Sequence, residues 1–228
     1  MRARASRPLV LAFAPVKVWL AVPLPSPAMK YNLPNLLTLS RIPMMFVVVA
    51  LLHLDFKWSG TICFWLYIAA ALTDWLDGKI ARERGEVSSF GRFMDAVIDK
   101  VMVIGIMISL VSGNFFYGHN IAAMMLLLCI LAREFAVSGM RRAAASKGTI
   151  VVADSGGKVK TFVQFNAIGW LIGWRMFALD YPELFGGTED RWINWVHVVG
   201  VGLFVLSAVL TITSGWSYFR RHGHVVMD

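Results

Sequence analysis

The sequence predicts an all-α fold: a polytopic membrane protein with six transmembrane helices. Three observations predict it. Hydrophobic residues fill 57% of 228 positions and charged residues only 16%, with a mean hydropathy of +0.63, which leaves less polar surface than a water-soluble domain of this length needs. The apolar residues come in long blocks, not in the short alternating runs of half-buried strands. The basic residues collect in alternate connections between those blocks.

Taken in order, the blocks run over about 36–54, 59–81, 92–113, 119–143, 157–179 and 192–218, each near the ~20 residues that a bilayer core demands. The connection after the second holds Arg82, Arg84 and Arg92, that after the fourth holds Arg141, Arg142, Lys147 and Lys158, and the tail holds Arg220 and Arg221. The intervening connections are poor in basic residues: 113–120 has none, and 181–191 is mostly acidic. Both termini are therefore expected on the cytoplasmic side, in a bacterial cytoplasmic membrane. An even number of spans agrees.

Residues 1–28 read as an N-terminal extension to a membrane domain at 29–228. The extension carries Arg2, Arg4 and Arg7, then an apolar stretch broken by Pro8, Pro15, Lys17, Pro23, Pro25 and Pro27. A signal peptide is one reading. Its cleavage would export the new N-terminus, against the orientation just inferred, so the reading favoured is an upstream start codon with Met29 as the true start. The net charge of +8 follows from positive-inside bias, and no basic stripe on a soluble domain points to nucleic acid. Cys63 and Cys129 both fall in apolar blocks and read as small buried hydrophobes, not as a disulfide or zinc ligands. The tryptophans in or beside the spans read as interfacial anchors and packing.

Charge inside the spans is the informative anomaly, because an ionisable side chain near the bilayer centre costs at least ~2.5–3.5 kcal/mol. Asp74, Asp77, Asp95 and Asp99 lie in or at the ends of two consecutive spans. On a helix, Asp74, Asp77, Gly78, Ala81 and Arg82 fall within an arc of about 140° at ~100° per residue. Gly91, Asp95 and Asp99 are spaced four apart and line one face of the next helix. A short connection makes these helices antiparallel neighbours, so the two acidic faces meet near the cytoplasmic surface. Carboxylates gathered there call for a cation. Oxygen-only donors suit Mg²⁺, Mn²⁺ or Ca²⁺, and the absence of histidine from the cluster argues against zinc. Gly78, Ala81 and Gly91 keep the surface shallow, as a phosphate-bearing ligand requires. The bland alternative is a set of solvated helix ends neutralised by Arg82, Arg84 and Lys100. It would serve for one aspartate better than for four on matched faces.

Arg133 and Glu134 lie inside the fourth block, and Arg141 follows Arg133 by eight residues, on roughly the same side of a helix. Lys158 and Lys160 open the fifth. Together they offer a basic pocket beside the aspartates, suited to an acceptor that carries its own phosphate. For Arg142 and Lys147, positive-inside topology suffices.

The run D-W-L-D-G-K-I-A-R, eight residues, then G-R-F-M-D-A-V-I-D resembles the signature of the CDP-alcohol phosphatidyltransferase family, D-x-x-D-G-x-x-A-R followed by G-x-x-x-D-x-x-x-D. Asp74, Asp77, Gly78, Ala81, Arg82, Gly91, Asp95 and Asp99 fill every fixed position. The resemblance implies two divalent cations, Mg²⁺ or Mn²⁺, one held by Asp74, Asp77 and Asp95 and the other by Asp74, Asp95 and Asp99. It implies Asp99 as the base for the acceptor hydroxyl, and Gly78, Ala81, Arg82 and Gly91 as the cytidine and phosphate pocket. The segment N-L-P-N-L-L-T-L-S-R-I-P, with Asn35, Thr38 and Arg41, and the stretches around Arg133 and Lys158 resemble the phosphatidylglycerophosphate synthase branch. That branch implies CDP-diacylglycerol and sn-glycerol 3-phosphate as partners. Family members are often homodimers, although no interface is legible in the sequence. The nearest rivals are other branches, which use phosphatidylglycerol, serine or inositol phosphate. From another class, a divalent-metal transporter would be expected to show inverted repeats and helices broken at mid-membrane. An inactive scaffold would have no reason to keep the whole aspartate set.

Overall fold

A computed structural model describes residues 33–83, 89–113, 115–146, 156–185 and 191–227. The extension at 1–28, and with it the question of Met29, lies outside these residues. Helices form where the apolar blocks were read: α1 (Leu33–His53), α2 (Ser59–Glu83), α3 (Ser89–Ser112), α4 (Asn120–Ser146), α5 (Gly156–Asp180) and α7 (Arg191–Met227). One further turn, α6 (Pro182–Phe185), lies in the connection read as a loop. Its proline stands at the first helical position, where a missing amide costs nothing. α7 runs nine residues beyond the predicted block. Hydropathy falls there, but exposed Arg220 and Arg221 are good helix formers, so propensity and not apolarity sets that end. Among the described residues no strand occurs, and the all-α expectation holds.

α1 packs on α2 and α3, α2 on α5, and α5 on α7, which also receives α4. The shared core is built from Val48 and Leu52 of α1, Cys63 and Tyr67 of α2, Met102 and Ile106 of α3, Leu171 of α5 and Phe204 of α7. The outer surface is apolar as well: Phe46, Trp65, Ile121 and Trp216 are all more than 60% exposed. Such a surface is stable only against another apolar medium. α1 over Leu36–His53, α4 over Asn120–Ser146 and α7 over Arg191–Arg221 are long and apolar enough to cross a membrane. The chain is an integral membrane protein. Cys63 is buried as expected, whereas Cys129 is exposed on α4. The correction has a simple reason: an apolar position in a membrane helix can face lipid as readily as core.

Two close contacts fix where the helices meet. A Cβ on Gly60 would lie 2.7 Å from Met176 Cα, so only glycine lets the start of α2 rest on the backbone of α5. Asp180, the last residue of α5, caps α2 from across that contact. Its carboxylate accepts from Trp58 N at 3.1 Å, Thr61 N at 2.5 Å and Thr61 Oγ1 at 2.7 Å. The orphan amides of a helix start are thus satisfied by a neighbouring helix.

Candidate active site

The opposite half of α2 carries Asp74, and the antiparallel α3 brings Asp95 and Asp99 to it. One carboxylate oxygen from each of the three lies within 4.8 Å of the others. The predicted meeting of two acidic faces is therefore realised for these three. The side chains of Asp77, Ala81, Arg82 and Lys158, and the surroundings of Gly78 and Gly91, lie outside the described residues. Their backbones fall within α2, α3 and α5.

Beneath the cluster sits a side chain from a third helix. Arg41 of α1 reaches up into it. Its Nη1 donates to Asp74 Oδ1 and, at 2.6 Å, to Asp99 Oδ1. Its Nη2 donates to Asp95 Oδ1 at 2.9 Å. The arginine side chain is 0% exposed, while the carboxylates of Asp74, Asp95 and Asp99 remain 34%, 49% and 39% exposed. The guanidinium thus closes the protein side, and the carboxylates open outward. Among the described residues, three carboxylates against one guanidinium leave negative charge in excess. A donor set made wholly of carboxylate oxygen, with that excess, fits a hard divalent cation.

Asp74 also lines a cavity of about 660 Å³ that extends over α4, α5 and α7. Here the predicted basic residues converge: Arg133 and Arg141 from α4 and Lys160 from α5 all line it, joined by Lys100 of α3. Lys100 bonds Ser138 Oγ. Arg133 Nη2 donates to Ser214 Oγ of α7 at 2.8 Å. A Cβ on Gly215 would lie 2.5 Å from Arg133 Cγ, so the glycine makes room for that arm. Arg141 lies 5.4 Å over the ring of Tyr218, a cation–π contact that holds the guanidinium in place. Glu134 pairs with Lys160 and, at 3.2 Å, with Arg133. Four basic side chains against Asp74 and Glu134 leave two positive charges in excess in the lining. The Nε atoms of Arg133 and Arg141 are buried and have no hydrogen-bond partner among the described residues. Both features suit an anion.

A second cavity of about 430 Å³ adjoins the first, sharing Ala71, Phe165 and Asn166 with it. It is walled by Phe64, Tyr67, Trp170 and Phe177 and floored by Gly169 and Gly173, and it is apolar.

The family model for CDP-alcohol phosphatidyltransferase matches residues 31–213. The chain belongs to the CDP-alcohol phosphatidyltransferase family. The CDP-diacylglycerol–glycerol-3-phosphate 3-phosphatidyltransferase of Salmonella choleraesuis (strain SC-B67) is 34% identical over 202 residues, covering 88% of this chain and 100% of that protein. Proteins of the same name from Bacillus subtilis (strain 168) and Shigella flexneri are 31% and 34% identical, covering 84% and 88% of this chain and 95% and 100% of theirs. The CDP-alcohol phosphatidyltransferase match spans the acidic cluster and the basic side chains of the cavity, and Ser214 and Tyr218 lie just beyond it. Arg41, Lys100, Glu134, Ser214 and Tyr218 are the members that sequence reasoning left without a place in the site. For Arg41 a signal existed. It is an arginine within an apolar block, the same anomaly that singled out Arg133.

Proposed function

We propose that the protein transfers a phosphatidyl group from CDP-diacylglycerol to sn-glycerol 3-phosphate, giving phosphatidylglycerophosphate and CMP, as a step of phospholipid biosynthesis. The observation that carries this reading is the joining of two opposite sites at Asp74: a carboxylate cluster short of positive charge and a cavity with positive charge to spare. A pyrophosphate donor and a phosphorylated acceptor need that pair of neighbours. The names of the relatives support the choice of both substrates.

Asp74, Asp77 and Asp95 would hold one divalent cation and Asp74, Asp95 and Asp99 a second. Mg²⁺ or Mn²⁺ bound there supplies neutralisation of the donor pyrophosphate and of the departing CMP. Gly78, Ala81, Arg82 and Gly91 shape the floor under the cytidine and its phosphates. Arg133, Arg141, Lys158 and Lys160 hold the acceptor phosphate, with Glu134 fixing the charged ends of Arg133 and Lys160 in place. The acceptor hydroxyl gives its proton to Asp99 and its oxygen bonds to the phosphatidyl phosphorus. The bond from that phosphorus to the CMP oxygen breaks, and CMP leaves. The apolar cavity beside Ala71 suits a donor acyl chain. With six membrane-crossing helices and both termini in the cytoplasm of a bacterial cell, the site would be open to a soluble acceptor and to a lipid donor. The basic residues Arg142, Arg220 and Arg221 at or beyond the ends of two spans support that orientation.

CMP release by purified protein in detergent tests the reading, with CDP-diacylglycerol, Mg²⁺ and glycerol 3-phosphate, serine, inositol phosphate or phosphatidylglycerol in turn. Release that requires glycerol 3-phosphate and is lost with EDTA is the expected result. Release with a different acceptor would leave the family reaction standing and remove the assignment of the basic cavity.

A further inference from the structure

The geometry points to Arg41 as the positioning residue of the metal site: from beneath, it fixes the Oδ1 atoms of Asp74, Asp95 and Asp99, so that the remaining oxygens face outward as a preformed set of cation ligands. The inference rests on the reading of those aspartates as metal ligands.

Three observations carry it. First, one guanidinium engages all three carboxylates, and each of these contacts is made to Oδ1. Guanidinium nitrogens are planar and fixed relative to one another, so the three Oδ1 atoms they engage are held at set positions relative to each other. Second, the arrangement is one-sided. Arg41 is wholly buried, whereas its partners are a third to a half exposed. A competitor for the cation in the open mouth of the cluster would share the exposure of the carboxylates, and Arg41 does not. Third, charge is left over. Among the described residues three carboxylates face one guanidinium, and the negative charge left over calls for a cation. Arg41 also comes from a third helix. It joins α1 to α2 and α3 at one point, so the ligand geometry becomes a property of the whole bundle.

A partner that orients metal ligands without touching the metal typically accounts for about 10- to 100-fold in metal affinity. The test is Mn²⁺ binding to the full chain in detergent, without substrates, read by the loss of the free-ion electron paramagnetic resonance signal. Arg41→Lys keeps the charge but offers one point donor in place of a fork. Arg41→Met removes both. Positioning predicts weaker Mn²⁺ binding in both variants, by about 10- to 100-fold, with the KM for glycerol 3-phosphate unchanged in whichever variant turns over. Simple charge repulsion predicts the reverse order: wild-type affinity in Arg41→Lys and tighter binding in Arg41→Met. That order, or unchanged binding in Arg41→Lys, overturns the inference. Should Arg41→Met fail to fold, Arg41→Lys decides alone, with its thermal unfolding checked against wild type. A wild-type protein that binds no Mn²⁺ would instead remove the metal-site reading itself, a result distinguishable from failure of the role given to Arg41.

Discussion

Aspartates at the two ends of α2 are held in opposite ways. At the start, the single carboxylate of Asp180 accepts three hydrogen bonds from Trp58 and Thr61 and needs no cation. Fifteen residues further along, Asp74 meets two more aspartates and shares one arginine with them. The first arrangement is complete within the protein. The second is complete only when something else arrives. Burial alone does not separate the two, since all of these carboxylates are partly exposed. The count of partners does. A carboxylate whose lone pairs are matched by backbone donors belongs to the fold, and a group of carboxylates left with excess charge belongs to the chemistry.

That distinction can be broken by experiment, beginning where the effect is largest. Asp99→Asn is expected to lower kcat by about 10²- to 10⁴-fold while thermal unfolding in detergent stays near that of wild type. A variant with most of its turnover would remove Asp99 from the role of base. Arg141→Gln is expected next. Loss of a charge-assisted contact of about 1.5–3 kcal/mol should raise the KM for glycerol 3-phosphate tenfold or more and leave the KM for CDP-diacylglycerol alone. An equal rise in both constants would mean that the basic cavity does not discriminate the acceptor. At the other end of α2 the expected effects are on stability. Gly60→Ala pushes a methyl group against the Met176 backbone and should cost about 1–3 kcal/mol. Asp180→Ala removes the cap and should cost about 1–2 kcal/mol. Both should leave kcat per folded molecule unchanged. A loss of turnover in Asp180→Ala without a loss of stability would abolish the contrast between the two ends.

Much of this was legible beforehand, for reasons that can be named. The helices follow from block length. The acidic faces follow from the 74, 77 and 95, 99 spacings, because a helix converts spacing into direction. The convergence of Arg133, Arg141 and Lys160 was readable from the cost of placing charge among apolar neighbours. Arg41 was not placed, because its partners stand 33, 54 and 58 residues away, beyond any period that a single helix imposes. Asp180 was missed for the same reason: its partners lie about 120 residues back in the chain. Glu134 was seen, but its service to Lys160 of the next helix depends on packing that spacing does not encode. Cys129 shows the converse error, since an apolar block does not say which of its faces meets lipid.

The buried Arg41 also bears on how the protein is made. Among the described helices α1 leaves the ribosome first, and its arginine is the one charged residue of the span Leu36–His53. The carboxylates that neutralise it are synthesised only later, at positions 74, 95 and 99. At about 5–20 residues per second the nascent chain spends several seconds with that charge unmatched, at a cost of at least ~2.5 kcal/mol if it sits deep in the bilayer. A first helix that stays at the membrane surface until the α2–α3 hairpin is delivered would avoid that cost. Biogenesis would then have an order, with α1 settling after α2 and α3 although made before them. A cysteine at Ser40 should accordingly react with a water-soluble thiol reagent in nascent chains arrested before α3 and be protected in the finished protein.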